Sequence, residues 1–124
     1  MAYAYYDDDV LCICSQVPDE LLYFVIDEFP EDRLFRSAWE IAGESLVTNL
    51  TKAKEIAQGM RRVKRMEEFA PHDDIIKLDI PGQDRVAAEA ARATIRARDS
   101  ARQTAIDVCT DEAGLRALIM EEGL

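Results

Sequence analysis

The stretch "SLVTNLTKAKEIAQGM", residues 45–60, decides the fold because the spacing of the hydrophobic residues changes within it. Short apolar runs, typical of strands, precede this point, and from Thr51 onward apolar residues recur at steps of three and four, as on one face of a helix. We expect Thr51 to cap that helix. The sequence therefore predicts a β-rich part over residues 1–50 and a helical part over residues 51–124.

The residues before this point predict a small β-meander. The run "VLCICSQV", residues 10–17, is short and partly β-branched, which is typical of a strand. The run "LLYFVI", residues 21–26, fits either a strand or a helical turn, and its aromatic and β-branched residues favour the strand. The stretch "SAWEIAGESLVTNL", residues 37–50, predicts a hairpin that turns at Gly43 and Glu44. A lone hairpin is marginally stable in water, so we expect this part to pack on the helices.

The residues after this point predict an antiparallel helical hairpin. The first helix carries an apolar stripe formed by Ala53, Ile56, Ala57, Met60, Val63, Met66 and Ala70. Pro71 is expected to kink or restart this helix, and "IPG" at residues 80–82 ends the segment. Asp84 can cap a second helix that runs to about Val108, and a loop this short makes the two helices antiparallel neighbours.

The second helix and the end of the chain complete the helical part. The apolar side of the second helix is rich in alanine and comprises Ala87, Ala88, Ala91, Ile95, Ala105, Ile106 and Cys109. Charged and polar residues, Asp99 among them, fall on the other side. Thr110 is expected to cap a short final helix whose apolar residues close one end of the core: Leu115, Leu118 and Ile119. The predicted fold class is α+β, with one domain over residues 1–124 in which a small N-terminal β-meander packs on an antiparallel α-helical hairpin with a short C-terminal helix.

Composition and charge limit the classes of function. The chain has 124 residues, 48% of them hydrophobic, and a formal net charge of -10, which suits a globular protein. Most of the net negative charge lies in the first fifty residues, which contain eleven Asp and Glu residues but only two basic residues, Arg33 and Arg36. The acidic N-terminus "MAYAYYDDD" is unlike a secretory signal, and no apolar run is long enough to cross a bilayer. We therefore expect neither secretion by a signal peptide nor contact with a membrane.

No pattern of catalytic or ligand-binding residues stands out. Cys12, Cys14 and Cys109 are expected to be small buried apolar residues in a reducing compartment. His72 lies near three aspartates, but such a histidine is more often an ordinary surface group than a metal ligand. The run Asp7–Asp9 is expected to be a solvating tail at a mobile terminus. The sequence thus predicts no catalytic residue, no cofactor and no metal, in a protein that is not an enzyme.

A basic cluster interrupts the acidic chain at "GMRRVKRMEE", residues 59–68. Arg61 and Arg65 lie one helical turn apart, while Met60 and Val63 belong to the apolar stripe that should face the core. Because two glutamates follow at once and the surrounding chain is acidic, a nucleic-acid footprint is not expected. We predict that these arginines lie on a solvated helix face or contact another protein.

Two arginines depart from the pattern of the second helix. By helical angle Arg98 and Arg102 fall on its alanine-rich side. They are expected to reach outward at the edge of that side, to pair with carboxylates of the neighbouring helix such as Asp74 and Asp79, or to meet another chain. Edge placement or pairing within the chain is the favoured interpretation.

Two segments carry a resemblance to a known group of proteins. "FPEDRLFRSAWE", residues 29–40, contains an FR-x-AW motif, and "LTKAKEI", residues 50–56, contains a KA-x-EI motif. In this order, with a short glycine turn between them and an Arg-rich turn and an LD stretch (Leu78 and Asp79) behind, they resemble small proteins encoded beside tail-fibre genes in tailed bacteriophages. The similarity covers residues 29–119, although Gly59, Pro71 and "IPG" depart from the pattern of its helical part.

The resemblance implies a non-enzymatic bacteriophage tail protein: a structural component of the virion tail, or an assembly chaperone of the tail fibre or baseplate, acting by protein–protein contacts. It would work in the virion tail or in the host cytoplasm during assembly, by contact with a fibre or baseplate chain or by self-association into a homo-oligomer. Phe35 and Trp39 are favoured as aromatic anchors that seat the β-meander on the helices, and the alternative is that they form a partner-facing hot spot. The residues expected to meet a partner are Tyr3, Tyr5, Tyr6, Arg61, Arg65, Ala91, Arg98, Ala101 and Arg102.

A second class of function fits the acidic N-terminal part. A small regulatory interaction protein, such as an antitoxin or an anti-host inhibitor, would use this part to mimic nucleic acid or to mask a basic surface. Salt-sensitive binding to a basic host enzyme, lost when Asp7–Asp9 are neutralised, would identify this class. Co-purification with a fibre chain would identify the first.

Overall fold

A computed structural model describes residues 2–17, 22–30, 32–79, 81–82 and 84–124 of the chain. It confirms the predicted α+β class, because antiparallel strands come first and two long packed helices and a short C-terminal helix follow. The chain divides into two compact units, Met1–Ala53 and Lys54–Leu124. The boundary between them lies next to the predicted change in hydrophobic spacing.

The first unit contains two antiparallel sheets. The strands are β1 (Ala2–Asp7), β2 (Val10–Cys14), β3 (Phe24–Ile26), β4 (Trp39–Ala42) and β5 (Ser45–Thr48). The first three pair in the order β2-β1-β3, and β4 pairs with β5 as the predicted hairpin. Gly43 in the hairpin turn has a φ of 64°, which a glycine adopts without steric cost. A short 3-10 helix, Arg36–Ala38, leads into β4.

The sequence prediction missed β1. The N-terminus was expected to be a mobile acidic tail, but residues 2–7 form the central strand of the three-stranded sheet, and Asp8 and Asp9 form the two-residue turn into β2. The prediction gave more weight to the three aspartates, which disfavour strands, than to the β-forming tyrosines that precede them. The strand favoured within residues 21–26 is confirmed by β3, while Leu21 lies outside the described residues.

The core of the first unit lies between its two sheets. Ala4, Ile26, Trp39 and Leu46 form a buried cluster, and side chains of β2 and β4 pack against it. Phe35 is fully buried as well. Phe35 and Trp39 are therefore both buried, and only Trp39 keeps a small exposed fraction of 7%. Their role in seating the meander on the helices stays a prediction.

The second unit is helical. The helices are α1 (Leu50–Leu78), which begins before the unit boundary, α2 (Arg85–Asp107) and α3 (Glu112–Glu122). Pro71 was expected to kink or restart the first helix, and α1 continues through it, so the helix does not restart there. The kink stays a prediction. Pro81 and Gly82 form a turn between α1 and α2, and Ile80 of the predicted "IPG" breaker lies outside the described residues.

Three helix caps show how well the boundaries were predicted. Asp84 caps α2 as expected, because its side chain accepts a hydrogen bond from the Ala87 N–H at 3.0 Å. The other two predicted caps are wrong by one or two residues. Asn49 rather than Thr51 accepts from the Lys52 N–H at 3.1 Å, and Asp111 rather than Thr110 accepts from the Gly114 N–H at 2.7 Å. In both cases the sequence offers two adjacent or nearly adjacent capping residues of similar propensity.

Candidate interaction surfaces

The facing sides of α1 and α2 meet through a buried ion pair. Arg61 Nη1 donates a hydrogen bond to Asp99 Oδ2 at 2.7 Å, and Arg65 Nη1 donates to the same oxygen at 3.1 Å. Arg61 and Asp99 are only 3% and 4% exposed. Gln58 supports the pair, because its Oε1 accepts from Arg61 Nε at 2.6 Å. A charged contact therefore occupies the middle of the helical hairpin.

Polar contacts continue toward both ends of the hairpin. Lys54 Nζ donates to the Asp107 carbonyl oxygen at 2.9 Å near one end. Near the other, Arg92 Nε lies 2.8 Å from Asp73 Oδ1 without the alignment of a hydrogen bond, and the Arg92 guanidinium lies 5.4 Å from the centre of the Phe69 ring. These contacts define the predicted antiparallel arrangement.

Arg98 and Arg102 of α2 share one carboxylate of α1. Both donate to Glu68, Arg102 at 2.7 Å, and Arg102 Nε also donates to Glu122 of α3 at 2.9 Å. Burial favours a higher pKa for Glu68, but the hydrogen bonds and charges of Arg102 and Arg98 outweigh it and lower that pKa. The predicted pairing within the chain is thus confirmed, although the partners are not the predicted Asp74 and Asp79.

One member of the basic cluster, Arg61, was placed on the wrong side of α1. Arg61 was expected on a solvated or partner-facing side, yet it is buried against α2. Val63 and Met66, which were expected to face the core, are exposed, Met66 by 70%. Hydrophobic spacing misled the prediction because α1 uses charged side chains at positions where helices of a hairpin usually place apolar ones.

The alanine-rich side of α2 was misplaced for a related reason. Asp99 was expected among the solvated residues but lies at the centre of the buried stripe, between Ile95 and Ile106. Ala91 is half-buried, and Ala101 is exposed on another side of the helix. These two alanines therefore do not form one continuous surface for a second copy.

Tyr3 and Tyr5 lie together on one face of the first sheet. Side chains alternate along a strand, so these tyrosines face away from Ala4 and the buried cluster. Across the strands, Tyr3 is paired with Val25 and Tyr5 with Cys12. We call this the tyrosine face; its members are Tyr3, Tyr5, Cys12, Cys14, Tyr23 and Val25.

The tyrosine face is aromatic and only partly covered. The rings of Tyr3 and Tyr23 meet edge to face, with their centres 5.5 Å apart at an interplanar angle of 83°. Cys12 and Cys14 are free thiols and half-buried, not buried as expected. The negative charge that Cys12 can carry, followed by burial, raises the pKa of Tyr5, so its hydroxyl stays protonated at neutral pH.

Tyr6 does not belong to this face. Its side chain points to the opposite side of β1, and its hydroxyl oxygen accepts a hydrogen bond from the Ile41 N–H at 3.3 Å. The three predicted tyrosines are thus divided between two sides of the sheet. Sequence alternation alone could have shown this division if β1 had been recognised.

The FR-x-AW motif forms a pocket that sequence reasoning did not assign. Phe35, Ala38 and Trp39 of the motif are buried, and Arg36 together with one side of Trp39 lines a cavity of about 280 Å³. Its other lining residues are Ile13, Phe29, Pro30, Asp32 and Arg33. The motif therefore serves both the core and the surface of the first unit.

Searches for other kinds of site and for known relatives give no assignment. Within the described ranges, no three His, Cys, Asp or Glu side chains are arranged to hold a metal ion. None of the helices, over the residues that the structure describes, has the length and apolar character of a membrane span. No protein-family model, curated protein or solved structure matches this chain.

Proposed function

We propose that this chain is a protein-binding component of a bacteriophage tail, either a structural part of the tail fibre or baseplate region or an assembly chaperone for the fibre. The observation that carries this proposal is the tyrosine face of the first sheet. Its aromatic chemistry is suited to protein recognition, and the resemblance of residues 29–119 to tail-fibre-associated proteins suggests which partner it meets.

The physical argument rests on what the tyrosine face is made of. A solvated sheet face normally alternates polar residues with the buried ones, whereas this face presents aromatic, thiol and β-branched side chains. Tyr3, Tyr5 and Tyr23 offer large rigid surfaces with a hydroxyl at the edge, and tyrosine is among the residues that contribute most to binding energy at interfaces. Such a face suits a protein partner better than bulk water.

The helical unit is a less suitable place for the partner contact than the first unit. Arg61, Arg65, Arg98 and Arg102 were expected to contact a partner, but all four form ion pairs with carboxylates of the helical unit. Because their charges are already compensated, they contribute little to attracting a second protein. The first unit is therefore where we place the main contact.

Co-expression with a tail-fibre chain from the same genome tests the proposal. The unaltered chain should co-purify with the fibre. The double variant Tyr3→Thr/Tyr5→Thr replaces two rings by residues that also favour strands, so we expect binding to weaken by about thirtyfold or more, corresponding to a hot-spot loss of about 2 kcal/mol. Tyr6→Thr, on the opposite side of the same strand, is the matched control and should bind with nearly unchanged affinity.

Two outcomes would contradict different parts of the proposal. If the unaltered chain and the fibre do not associate, the tail-fibre assignment fails. If they associate and the double variant binds as well as Tyr6→Thr, the fibre contact lies elsewhere and the tyrosine face is not the interface. Circular dichroism of each variant would show that the sheet is retained.

One observation favours the regulatory class as a second candidate. Asp7, Asp8 and Asp9 are held together at the tip of the β1–β2 hairpin, so their charges are concentrated on a structured projection. A compact acidic tip can attract a basic protein surface, and that attraction weakens as salt increases. Salt-sensitive capture of a basic host enzyme, lost when all three aspartates are changed to asparagine, would support this class over the first.

A further inference from the structure

The pocket at the FR-x-AW motif contains an unusual pair of cations. Arg33 and Arg36 are the only basic side chains among the first fifty residues, and both line this one cavity. A turn in which the Arg36 N–H donates to the Arg33 carbonyl oxygen at 3.1 Å places them three residues apart on the same side of the chain. Neither guanidinium forms an ion pair with a described residue, in contrast to the arginines on the facing sides of α1 and α2.

Trp39, which lines the pocket, carries a buried donor without an acceptor among the described residues. The Trp39 side chain is only 7% exposed, and its Nε1 has no hydrogen-bond partner among the described residues. An unpaired buried donor costs about 1–3 kcal/mol, so buried donors in native proteins usually have a partner. Two guanidinium groups that form no ion pair with a described residue thus line the same cavity as Trp39, whose indole N–H lacks an acceptor among the described residues.

The size and charge of the cavity limit what can bind there. About 280 Å³ is at the lower end of the range for small-molecule sites, enough for one or two amino-acid side chains. Asp32 also lines the cavity and offsets one of the two arginines, which leaves a single net positive charge. One positive charge matches a carboxylate better than a doubly charged phosphate, and the acidic surroundings repel a polyanion such as nucleic acid.

The walls indicate what should lie beside the carboxylate. Ile13, Phe29 and Pro30 form an apolar side of the cavity, and Phe29 is 47% exposed at its mouth. We propose that this pocket binds a segment of a partner protein in which an Asp or Glu side chain follows an aromatic or aliphatic residue. The carboxylate accepts hydrogen bonds from Arg33 and Arg36, and the neighbouring apolar side chain packs on Phe29 and Pro30.

This inference does not depend on the partner being a phage fibre, and short peptides test it directly. Trp39 is the only tryptophan, so the indole N–H gives a single signal in a ¹⁵N-labelled sample. The probe is acetyl-Leu-Phe-Asp-amide, and its neutral isostere acetyl-Leu-Phe-Asn-amide is the matched ligand control. We expect the Asp peptide to shift the Trp39 signal saturably and to bind about tenfold or more tightly than the Asn peptide.

Protein variants separate the pocket from general charge effects. Arg33→Gln/Arg36→Gln should weaken binding of the Asp peptide about tenfold or more, while Arg62→Gln/Arg96→Gln, which removes two exposed arginines of the helical unit, should leave it unchanged. Both members of the first pair are exposed, so the fold should survive, and the position of the Trp39 signal in the free variant reports whether it does.

Several results would overturn the proposal. One is equal binding of the Asp and Asn peptides, and another is unchanged binding to the Arg33→Gln/Arg36→Gln variant. Absence of any saturable shift with the Asp peptide would also refute it. Inorganic phosphate is the third probe: tighter binding of phosphate than of the Asp peptide would show a general anion site and would refute the preference for a carboxylate.

Discussion

Arg61 of α1 and Asp99 of α2 form an ion pair that is almost completely shielded from water. Arg61 Nη1 lies 2.7 Å from Asp99 Oδ2, and Arg65 approaches the same oxygen from the more exposed side. Asp99 Oδ1 is buried without a hydrogen-bond partner among the described residues. Because removing two ions from water costs several kcal/mol per ion, the pair acts more as a constraint on which helix faces meet than as a source of stability.

Removing one member of this pair should be strongly destabilising. In Asp99→Ala the Arg61 charge stays buried without its partner, so we expect the free energy of unfolding of the helical unit to fall by about 3–5 kcal/mol. Urea titration followed by far-ultraviolet circular dichroism measures this change. Asp107→Ala removes an exposed aspartate from the same helix and should cost less than about 1 kcal/mol. Equal effects of the two substitutions would show that the buried pair has no special role.

Replacing both members should have a different result. The double variant Arg61→Met/Asp99→Leu substitutes apolar side chains for the ion pair and lets Arg65 turn toward water. We expect its stability to equal that of the unaltered chain or to exceed it by about 1–4 kcal/mol. The same urea titration checks this. A loss as large as that of Asp99→Ala would mean that the pair is stabilising in itself.

The contrast between these variants explains why the fold class was predictable and the hairpin interface was not. Hydrophobic spacing located the change from strands to helices, and Asp84 marked the start of α2 correctly. The same spacing placed Val63 and Met66 inside and Arg61 and Asp99 outside. Charged residues are usually exposed, so a prediction from one sequence places them in solvent. A buried salt bridge can be recognised only when the relative positions of the two helices are known.

The candidate sites were predictable to a similar extent. Tyr3, Tyr5 and Tyr6 were predicted together as partner-contacting residues, but Tyr3 and Tyr5 are half-buried on one side of the missed strand β1, and Tyr6 is 48% exposed on the other. Arg33 and Arg36 were recognised only as part of a motif. Their convergence on one cavity with Trp39 depends on a turn and a 3-10 helix, which sequence spacing alone does not define.

Glu68 should make stability depend on pH in the acidic range. Its pKa in the folded chain is lowered by Arg102 and Arg98 from a reference value of 4.5. A lowered folded-state pKa adds stability above the unfolded-state value, and this contribution is lost as pH falls through the folded-state value. The stability difference between the unaltered chain and Glu68→Gln should therefore be largest near neutral pH and shrink below about pH 4.5.

Urea titrations at several pH values measure this difference. Glu67→Gln alters the adjacent, exposed glutamate and is the matched control. Its stability difference from the unaltered chain should be small and nearly independent of pH. A Glu68→Gln difference that stays constant from about pH 7 to about pH 3 would contradict the role given to the two arginines.

The two phenylalanines near the FR-x-AW pocket should differ sharply in their effect on stability. Phe35 has no exposed surface, whereas Phe29 is 47% exposed. Phe35→Ala should lower the free energy of unfolding of the first unit by about 3–5 kcal/mol, because it leaves a cavity in the core. Phe29→Ala should cost less than about 1 kcal/mol. Urea unfolding followed by Trp39 fluorescence reports on this unit, and similar costs for both variants would contradict the anchoring role of Phe35.

The turn between β1 and β2 holds two aspartates in a left-handed backbone conformation that asparagine and glycine adopt more readily. Asp8 and Asp9 have φ values of 48° and 64°, so both are left-handed, as in the two-residue hairpin turns that prefer Asn-Gly. Asp8→Asn/Asp9→Gly should stabilise the first unit by about 1–2 kcal/mol. Asp8→Ala/Asp9→Ala removes the same two charges but keeps both β-carbons, and it should give no gain. Thermal unfolding followed by Trp39 fluorescence compares the two, and an equal gain in both would mean that charge repulsion at Asp7–Asp9, rather than backbone strain, limits the stability of the hairpin.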